Sequence, residues 1–111
     1  MRDGVIWATI TQEMLTENGA TMEDVEGLVD FLLATRETSV AIVLKEAAPG
    51  ETKVSMRTLP GIDSTRIVGA FGGGGHQRAA GCTIMAPPED AAEQLLPLVF
   101  KEMKAPAVAT G

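Results

Sequence analysis

The sequence predicts a single α+β domain, built as a mixed β-sheet of about four to five strands with helices packed on it. Segments with strand character and segments with helical periodicity follow one another in the order β, α, β, β, α, β, α, without an internal repeat or linker. A chain of 111 residues with 45% hydrophobic composition can close one small core. Dividing it further would leave each apolar stripe without a partner to pack against.

The first half of the chain is expected to form a strand, a helix and a second strand. β-Branched and aromatic residues predict a strand over residues 5–11, followed by a short helical turn that ends near Gly19. Thr21 and Asp24 have the spacing of a capping box, and the helix that they open has its apolar residues at i, i+3, i+4 and i+7, namely Val25, Leu28, Val29 and Leu32. The continuous apolar centre of residues 39–45 is typical of a central strand that is covered on both faces.

A β-hairpin is predicted next, with a Pro-Gly turn at residues 49–50 and a second strand over residues 53–58. Successive side chains of a strand point to opposite faces, so Val54 and Met56 share one face. The polar residues of the strand share the other face: Lys53, Ser55 and Arg57.

The remaining elements are a short helix, a strand and a long helix. Asp63 or Ser64 can cap the short helix, which the glycines at 72–75 are expected to end. Residues 81–86 predict a further strand. Two prolines at 87–88 begin the last amphipathic helix, and Pro97 inside it is expected to produce a kink.

The domain is expected to extend over residues 1–103, with residues 104–111 as a flexible C-terminal tail, since the last residues are small and aperiodic. The longest apolar run, residues 40–44, is far shorter than the roughly 18 residues that span a membrane. The N-terminus also lacks the basic and apolar order of a signal peptide. The sequence therefore predicts a soluble, cytoplasmic protein without a membrane partner.

Charge and cysteine content narrow the functional classes. The formal net charge is −6, which opposes the binding of an extended nucleic-acid duplex through many phosphate contacts. A short nucleotide remains compatible with this charge, because screening limits the global field to about 10 Å at ordinary ionic strength. The single cysteine, Cys82, can form neither an internal disulfide nor a thiolate zinc cage, and it is interpreted as a small strand residue.

The segment GGGGHQRAAG at residues 72–81 is the feature that points to chemistry. Successive glycines leave backbone N–H groups free to approach an anion, and His76 and Arg78 add donors beside them. The alternative is a flexible linker that also caps a helix. The segment lacks the Gly-Lys-Ser/Thr ending of a P-loop, and it follows a helix, whereas a dinucleotide fingerprint follows a strand. It therefore favours phosphate or carboxylate binding and does not support hydrolysis of nucleoside triphosphates.

This segment resembles the Gly-Gly-Gly-His-x-x-Ala-Ala-Gly signature of the DHHA1 domain, the C-terminal substrate-binding part of DHH-type phosphoesterases. Val54-Ser55-Met56-Arg57 resembles a second family strand, and residues 40–46 resemble the strand before it. The resemblance covers about residues 5–103. Among relatives it is greatest to bacterial oligoribonucleases that also dephosphorylate 3′-phosphoadenosine 5′-phosphate. Cyclic-di-AMP phosphodiesterases and RecJ-type exonucleases are alternatives, and the related domain of alanyl-tRNA synthetase, which lacks this histidine, ranks lower.

The resemblance implies a set of substrate-binding residues: Gly73, Gly74, Gly75, His76, Arg57 and Ser55. His76 and the glycine backbone would hold phosphate near the cleaved bond, and Arg57 would clamp a phosphate or terminal group. Arg78 occupies one of the two variable positions of the signature. The family reaction uses two Mn²⁺ ions held by Asp and His residues of the N-terminal DHH domain. Because this chain has one histidine and no Asp-His-His sequence, we expect no catalytic residue, metal or cofactor in it.

The expected function is thus to bind a short single-stranded RNA or DNA, or a mononucleotide, for a manganese-dependent phosphodiesterase or phosphatase. Met1 is then expected to begin an excised fragment that is inactive without its DHH domain. The alternative is an autonomous nucleotide- or protein-interaction module without a catalytic partner. The sequence leaves open the substrate, its length and whether the protein is a homodimer.

Overall fold

This computed structural model describes residues 3–19, 21–35 and 37–104 of the chain. In chain order the described residues form the elements β1 Val5–Ile10, α1 Gln12–Asn18, α2 Met22–Leu33, β2 Val40–Ala48, β3 Glu51–Thr58, α3 Ser64–Val68, a 3-10 turn Gly69–Phe71, β4 Gly74–His76, β5 Ala79–Ile84 and α4 Pro88–Lys104. The predicted α+β class is confirmed. None of these helices is long and apolar enough to cross a membrane.

The strands form one five-stranded sheet in the order β1-β2-β3-β5-β4. β1 runs parallel to β2, and the other three pairs are antiparallel, so the predicted mixed sheet is also confirmed. The parallel pair requires a crossover connection, which α1 and α2 supply. The hairpin between β2 and β3 turns at Gly50, whose φ of 76° is one that glycine adopts without strain.

The two faces of the sheet bury separate apolar clusters. On one face α1 and α2 pack against β1 and β2, through Val25, Val29, Ala41 and Val43. On the other face α3 and α4 pack against β2, β3 and β5, through Ile42, Leu44, Met56, Ile67 and Leu95. All five residues Val40 to Leu44 are buried, as predicted for a strand covered on both faces.

The predicted helix starts are confirmed at three caps. The Thr11 hydroxyl accepts from the N–H of Met14, and Thr21 accepts from that of Asp24, whose carboxylate accepts in return from the Thr21 N–H. The Asp63 carboxylate accepts from the Thr65 N–H. Each cap satisfies backbone donors that the first turn leaves without a partner.

The structure differs from the sequence prediction mainly around the glycines. α3 ends at Val68, before the glycines, and a 3-10 turn continues to Phe71. The strand predicted over residues 81–86 is found at Ala79–Ile84, and it pairs with a short strand over residues 74–76 that the sequence did not predict. α4 continues through Pro97 to Lys104, and the remainder of the predicted tail, residues 105–111, lies outside the described residues.

Candidate functional site

The glycine segment forms an edge strand. Gly74, Gly75 and His76 pair with Gly81, Ala80 and Ala79 of β5. The tight turn between β4 and β5 consists of Gln77 and Arg78. It is attached to the rest of the domain by the buried Ser64, whose hydroxyl lies 2.9 Å from the His76 carbonyl oxygen and 2.8 Å from that of Gln77.

The fold itself requires three of the four successive glycines. Gly72 ends the 3-10 turn with φ 77°. A Cβ added to Gly73 would lie 2.3 Å from the Gly81 carbonyl oxygen. Gly75 combines a φ of 144° with a Cβ position 2.6 Å from the Ala79 carbonyl oxygen. These positions need bare backbone to let β4 lie against β5, whatever else the segment binds.

Gly74 has no such reason to be glycine. Its backbone is outside the left-handed region, and an added Cβ would meet no atom within 4 Å. The position is exposed, and its Cβ would point into open space. Local packing of the described residues therefore leaves this glycine unexplained, whereas a guest close to the backbone would explain it.

The strand register aligns the sequence-predicted residues in two rows. Ser55 pairs with Gly81, which pairs with Gly74. Arg57 pairs with Ala79, which pairs with His76. Directly opposed residues of an antiparallel pair lie on the same face of the sheet. Four of the six predicted site residues, namely Ser55, Arg57, Gly74 and His76, thus share one face, whereas Gly73 precedes β4 and Gly75 alternates to the opposite face.

We call the surface between these side chains the bare strip, defined as the backbone of Gly74, Ala79 and Gly81. Arg57 and His76 lie on either side of Ala79 in this strip, two strand spacings or about 10 Å apart. His76 and Gly74 are exposed, and Ala79 and Gly81 are half-buried. The strip is on the same face as α2, beside the part of the sheet that α2 covers, because α2 contacts Ser55 and Arg57 at the border.

Arg57 is held at this border by three hydrogen bonds. Its Nε donates to Asp30 at 3.0 Å, its Nη1 donates to the Met56 carbonyl oxygen at 3.0 Å, and its Nη2 donates to Glu26. Glu26 and Asp30 lie one turn apart on α2, and 17% of the Arg57 side chain is exposed. Two of these three partners are carboxylates of α2, which the sequence did not indicate.

Ser55 is linked to Arg57 through Glu26, which accepts a hydrogen bond from each of them. The Ser55 hydroxyl donates to Glu26 Oε2 at 2.8 Å, so Glu26 receives hydrogen bonds from two β3 side chains. Burial alone would raise the pKa of Glu26, but the hydrogen bonds from Ser55 and Arg57 and the positive charge of Arg57 outweigh it and lower this pKa. Glu26 is therefore a carboxylate at neutral pH.

Sequence reasoning missed Glu26 and Asp30. Their spacing of four residues places both on one side of α2, and β3 carries its polar residues on the face that α2 covers. The two carboxylates on one side of a helix and the polar face of a strand could both be recognised in the sequence. That they face each other follows only from the packing of α2 on β3, which the sequence did not predict.

Two open depressions adjoin the β4–β5 turn. One, of about 550 Å³, is lined by His76, Gln77, Arg78 and Ala79. The other, of about 390 Å³, is lined by Pro60, Gly61, Ile62, Asp63, Gln77 and Arg78. The exposed Arg78 lines both, so a cation stands beside the bare strip in addition to Arg57.

Nucleophilic and metal-ligating groups do not come together here. Cys82 is half-buried in β5, and burial raises the pKa of its thiol to about 11, so it stays protonated at neutral pH. In the described ranges 3–19, 21–35 and 37–104, no three His, Cys, Asp or Glu side chains form a group that could hold a metal ion. The side chains at this site are mainly hydrogen-bond donors, which suit an anion.

Comparison with known proteins gives a consistent family match. The DHHA1 domain family matches residues 3–105. The bifunctional oligoribonuclease and PAP phosphatase NrnA of Thermus thermophilus is 32% identical over 90 residues, which are 80% of this chain and 28% of that protein. The chain therefore spans little more than a quarter of this curated relative.

Two solved structures show the same fold. An exopolyphosphatase-related protein from Bacteroides fragilis aligns with a TM-score of 0.74 and 22% identity over 86% of this chain and 28% of its own. The C-Ala domain of alanyl-tRNA synthetase from Aquifex aeolicus aligns with a TM-score of 0.63 and 13% identity, over 86% of this chain and 89% of its own. At these identities the two structures establish the architecture alone.

The packing predicts that neighbouring glycines differ sharply in what they tolerate. Gly73→Ala should lower the free energy of unfolding by about 1 to 3 kcal/mol, because the new methyl group would overlap the β5 backbone. Gly74→Ala should change it by no more than about 0.5 kcal/mol, because the methyl group enters open space. Chemical denaturation of both variants measures this. Equal losses in the two variants would contradict the described contact between Gly73 and β5.

Glu26 predicts a pH dependence of stability. A carboxylate whose folded pKa is lowered contributes stability that is complete above its ordinary pKa of 4.5 and is lost as the pH falls through the lowered value. The difference in unfolding free energy between the wild type and Glu26→Gln should thus be constant above pH 4.5 and shrink below it. When Arg57 is replaced by alanine, the stability advantage of Glu26 over glutamine should vanish or reverse, because burial then opposes the carboxylate without the arginine to offset it. A difference that grows on acidification would contradict the described contacts.

Proposed function

Because the chain belongs to the DHHA1 domain family, we propose that it binds the phosphate-bearing part of a short nucleotide for a DHH-type phosphoesterase. The bare strip is the binding surface in this proposal. Arg57 holds phosphate oxygens on one side, His76 donates to them on the other, and the backbone of Gly74 lets the ligand approach closely. The guest is a mononucleotide or a short single-stranded oligonucleotide.

The observation that supports the proposal most strongly is that donor side chains are aligned on one face of the sheet beside a surface that has almost no side chains. Two donor side chains of different strands lie on one face, with Ala79 between them and Gly81 and Gly74 in the neighbouring row, so that this surface carries either no side chain or a methyl group. Gly74, at the β4 edge of this surface, is a glycine that the packing of the described residues does not require. A surface that only needed to be soluble would more commonly carry polar side chains at such exposed strand positions.

The charge distribution supports a small ligand. The carboxylates of Glu26 and Asp30 bind Arg57 from α2. An anion is therefore attracted to the space between Arg57 and His76 and is repelled on the α2 side of Arg57. A long polyanion would have to pass these carboxylates, and the chain as a whole carries a net charge of −6. The local donors can therefore hold one or two phosphates.

Catalysis is assigned to residues beyond this chain. The described residues do not fit the Mn²⁺ pair that the family resemblance implies, since they form no group of metal ligands. We therefore place the metals and the reacting water in an N-terminal DHH domain, and we derive no catalytic step from this chain. Hydrolysis of oligoribonucleotides or of 3′-phosphoadenosine 5′-phosphate, named for the Thermus thermophilus relative, is the activity proposed for the whole protein.

A ligand titration tests the proposal. Adenosine 3′,5′-bisphosphate and a 5′-phosphorylated diadenylate added to the ¹⁵N-labelled chain should shift the amides of Gly74, His76, Ala79 and Gly81 and the Nε–H of Arg57. Binding should be weak and should weaken further with salt, because few charged hydrogen bonds hold the ligand. Adenosine without phosphate is the matched control and should produce little shift. Shifts spread over the surface that spare the strip would assign the domain to a different role, such as protein interaction.

A second prediction uses the open space at Gly74. Gly74→Val should fold normally, because valine suits a strand and no atom lies within 4 Å of the Cβ position. It should nevertheless reduce nucleotide binding strongly, because the isopropyl group would stand where the ligand approaches. Thr83→Val is the control, since Thr83 is an exposed β5 residue beyond the strip. Unchanged affinity in a folded Gly74→Val protein would show that the ligand does not contact this backbone.

A further inference from the structure

We infer that Glu26 and Asp30 of α2 are positioning residues, which orient the Arg57 guanidinium so that its remaining donors point towards a phosphate on the bare strip. This inference rests on the proposed function, and it adds a pair of residues that the glycine and histidine motif does not include. It also gives Ser55 a different role from direct substrate binding, since Ser55 orients Glu26.

The first step of the argument is the inventory of Arg57 donors. A guanidinium carries one hydrogen on Nε and two on each terminal nitrogen. The Nε hydrogen goes to Asp30, one Nη1 hydrogen to the Met56 carbonyl oxygen and one Nη2 hydrogen to Glu26. One hydrogen on each terminal nitrogen therefore has no partner among the described residues. A guanidinium can hold two oxygens of one phosphate through donors on its two terminal nitrogens.

The second step is the fixed orientation of the side chain. Arginine has many rotamers, and a ligand that must first order it binds more weakly. Here three hydrogen bonds from different elements, namely α2 twice and the β3 backbone once, hold the guanidinium before any ligand arrives. Only 17% of the side chain is exposed, so its accessible part is a small fraction of its surface. An arginine held in this way is preorganised.

The third step is the support behind the two carboxylates. Glu26 accepts from the Ser55 hydroxyl on its second oxygen, so both Glu26 oxygens have a β3 partner. Asp30 is more exposed than Glu26, at 66% against 43% of the side chain. Glu26 should therefore be the stronger anchor and Asp30 the weaker one.

The two carboxylates have opposing effects on an anion, and their variants separate these effects. Their charge repels phosphate, whereas their hydrogen bonds orient the arginine that attracts it. Glu26→Gln removes the charge but keeps an oxygen for Arg57 and a polar group for Ser55. Glu26→Ala removes both charge and anchor. Glu23→Ala removes a carboxylate from the exposed side of the same helix and measures the effect of charge alone.

The experiment measures the affinity of the 111-residue chain for adenosine 3′,5′-bisphosphate by NMR titration, with the folding of every variant checked by its unfolding temperature. Arg57→Ala should weaken binding by about tenfold or more, as expected for the loss of a charged hydrogen-bond pair. Glu26→Ala should weaken it by about two- to tenfold, through the lost ordering of Arg57. Glu26→Gln and Glu23→Ala should bind as well as the wild type or slightly better. In the Arg57→Ala background, Glu26→Ala should cause no further loss.

Each alternative outcome has a separate meaning. If the wild type binds the nucleotide but Glu26→Ala binds it equally well or better, the positioning role is wrong and the proposed function stands. An equal loss from Glu26→Ala with and without Arg57 would likewise overturn it, because the effect would not pass through the arginine. If the wild type binds no nucleotide at all, both the proposed function and this inference fail.

Discussion

The close approach of bare backbone to both sides of β5 is the constraint on which the rest of the structure depends. A Cβ at Gly81 would lie 2.7 Å from the Val54 carbonyl oxygen of β3, and one at Gly73 would lie 2.3 Å from the Gly81 carbonyl oxygen. Because both positions lack a side chain, β5 fits between β3 and the glycine segment, and β4 joins the sheet. The same register places His76 in line with Arg57. The strand pairing that completes the sheet in this part of the chain therefore also brings the residues of the candidate site together.

An acidic domain can form an anion site because the relevant charges act over short distances. The net charge of −6 is spread over the whole surface, and salt screens it beyond about 8 to 10 Å. Near the bare strip the order of groups matters more than their sum, with carboxylates on one side of Arg57 and the strip on the other. This order favours a small phosphate-bearing ligand over a duplex. In this arrangement the negative charges of Glu26 and Asp30 orient the positive charge of Arg57. A count of basic and acidic residues alone would instead indicate that these carboxylates oppose anion binding.

The sequence predicted most of the architecture, because its signals were local. The capping residues Thr21 and Asp63, the central strand and the alternation in β3 each depend on residues close in the chain, and the structure has them where they were predicted. The glycine segment was harder. Successive glycines have no propensity for a strand, and only the pairing with residues 79–81 of β5 makes residues 74–76 one. The ion pairs of Arg57 were missed for a similar reason, since they join residues 27 and 31 positions apart.

The central claim is that the bare strip between Arg57 and His76 is where the domain holds phosphate. The most direct measurement is a crystal structure of the chain with adenosine 3′,5′-bisphosphate. The account predicts a phosphate over the backbone of Gly74 and Gly81, with oxygens in hydrogen-bond contact with both terminal nitrogens of Arg57 and with the His76 imidazole. A nucleotide ordered elsewhere, for example in the depression beside Pro60 with the strip left to solvent, would contradict it.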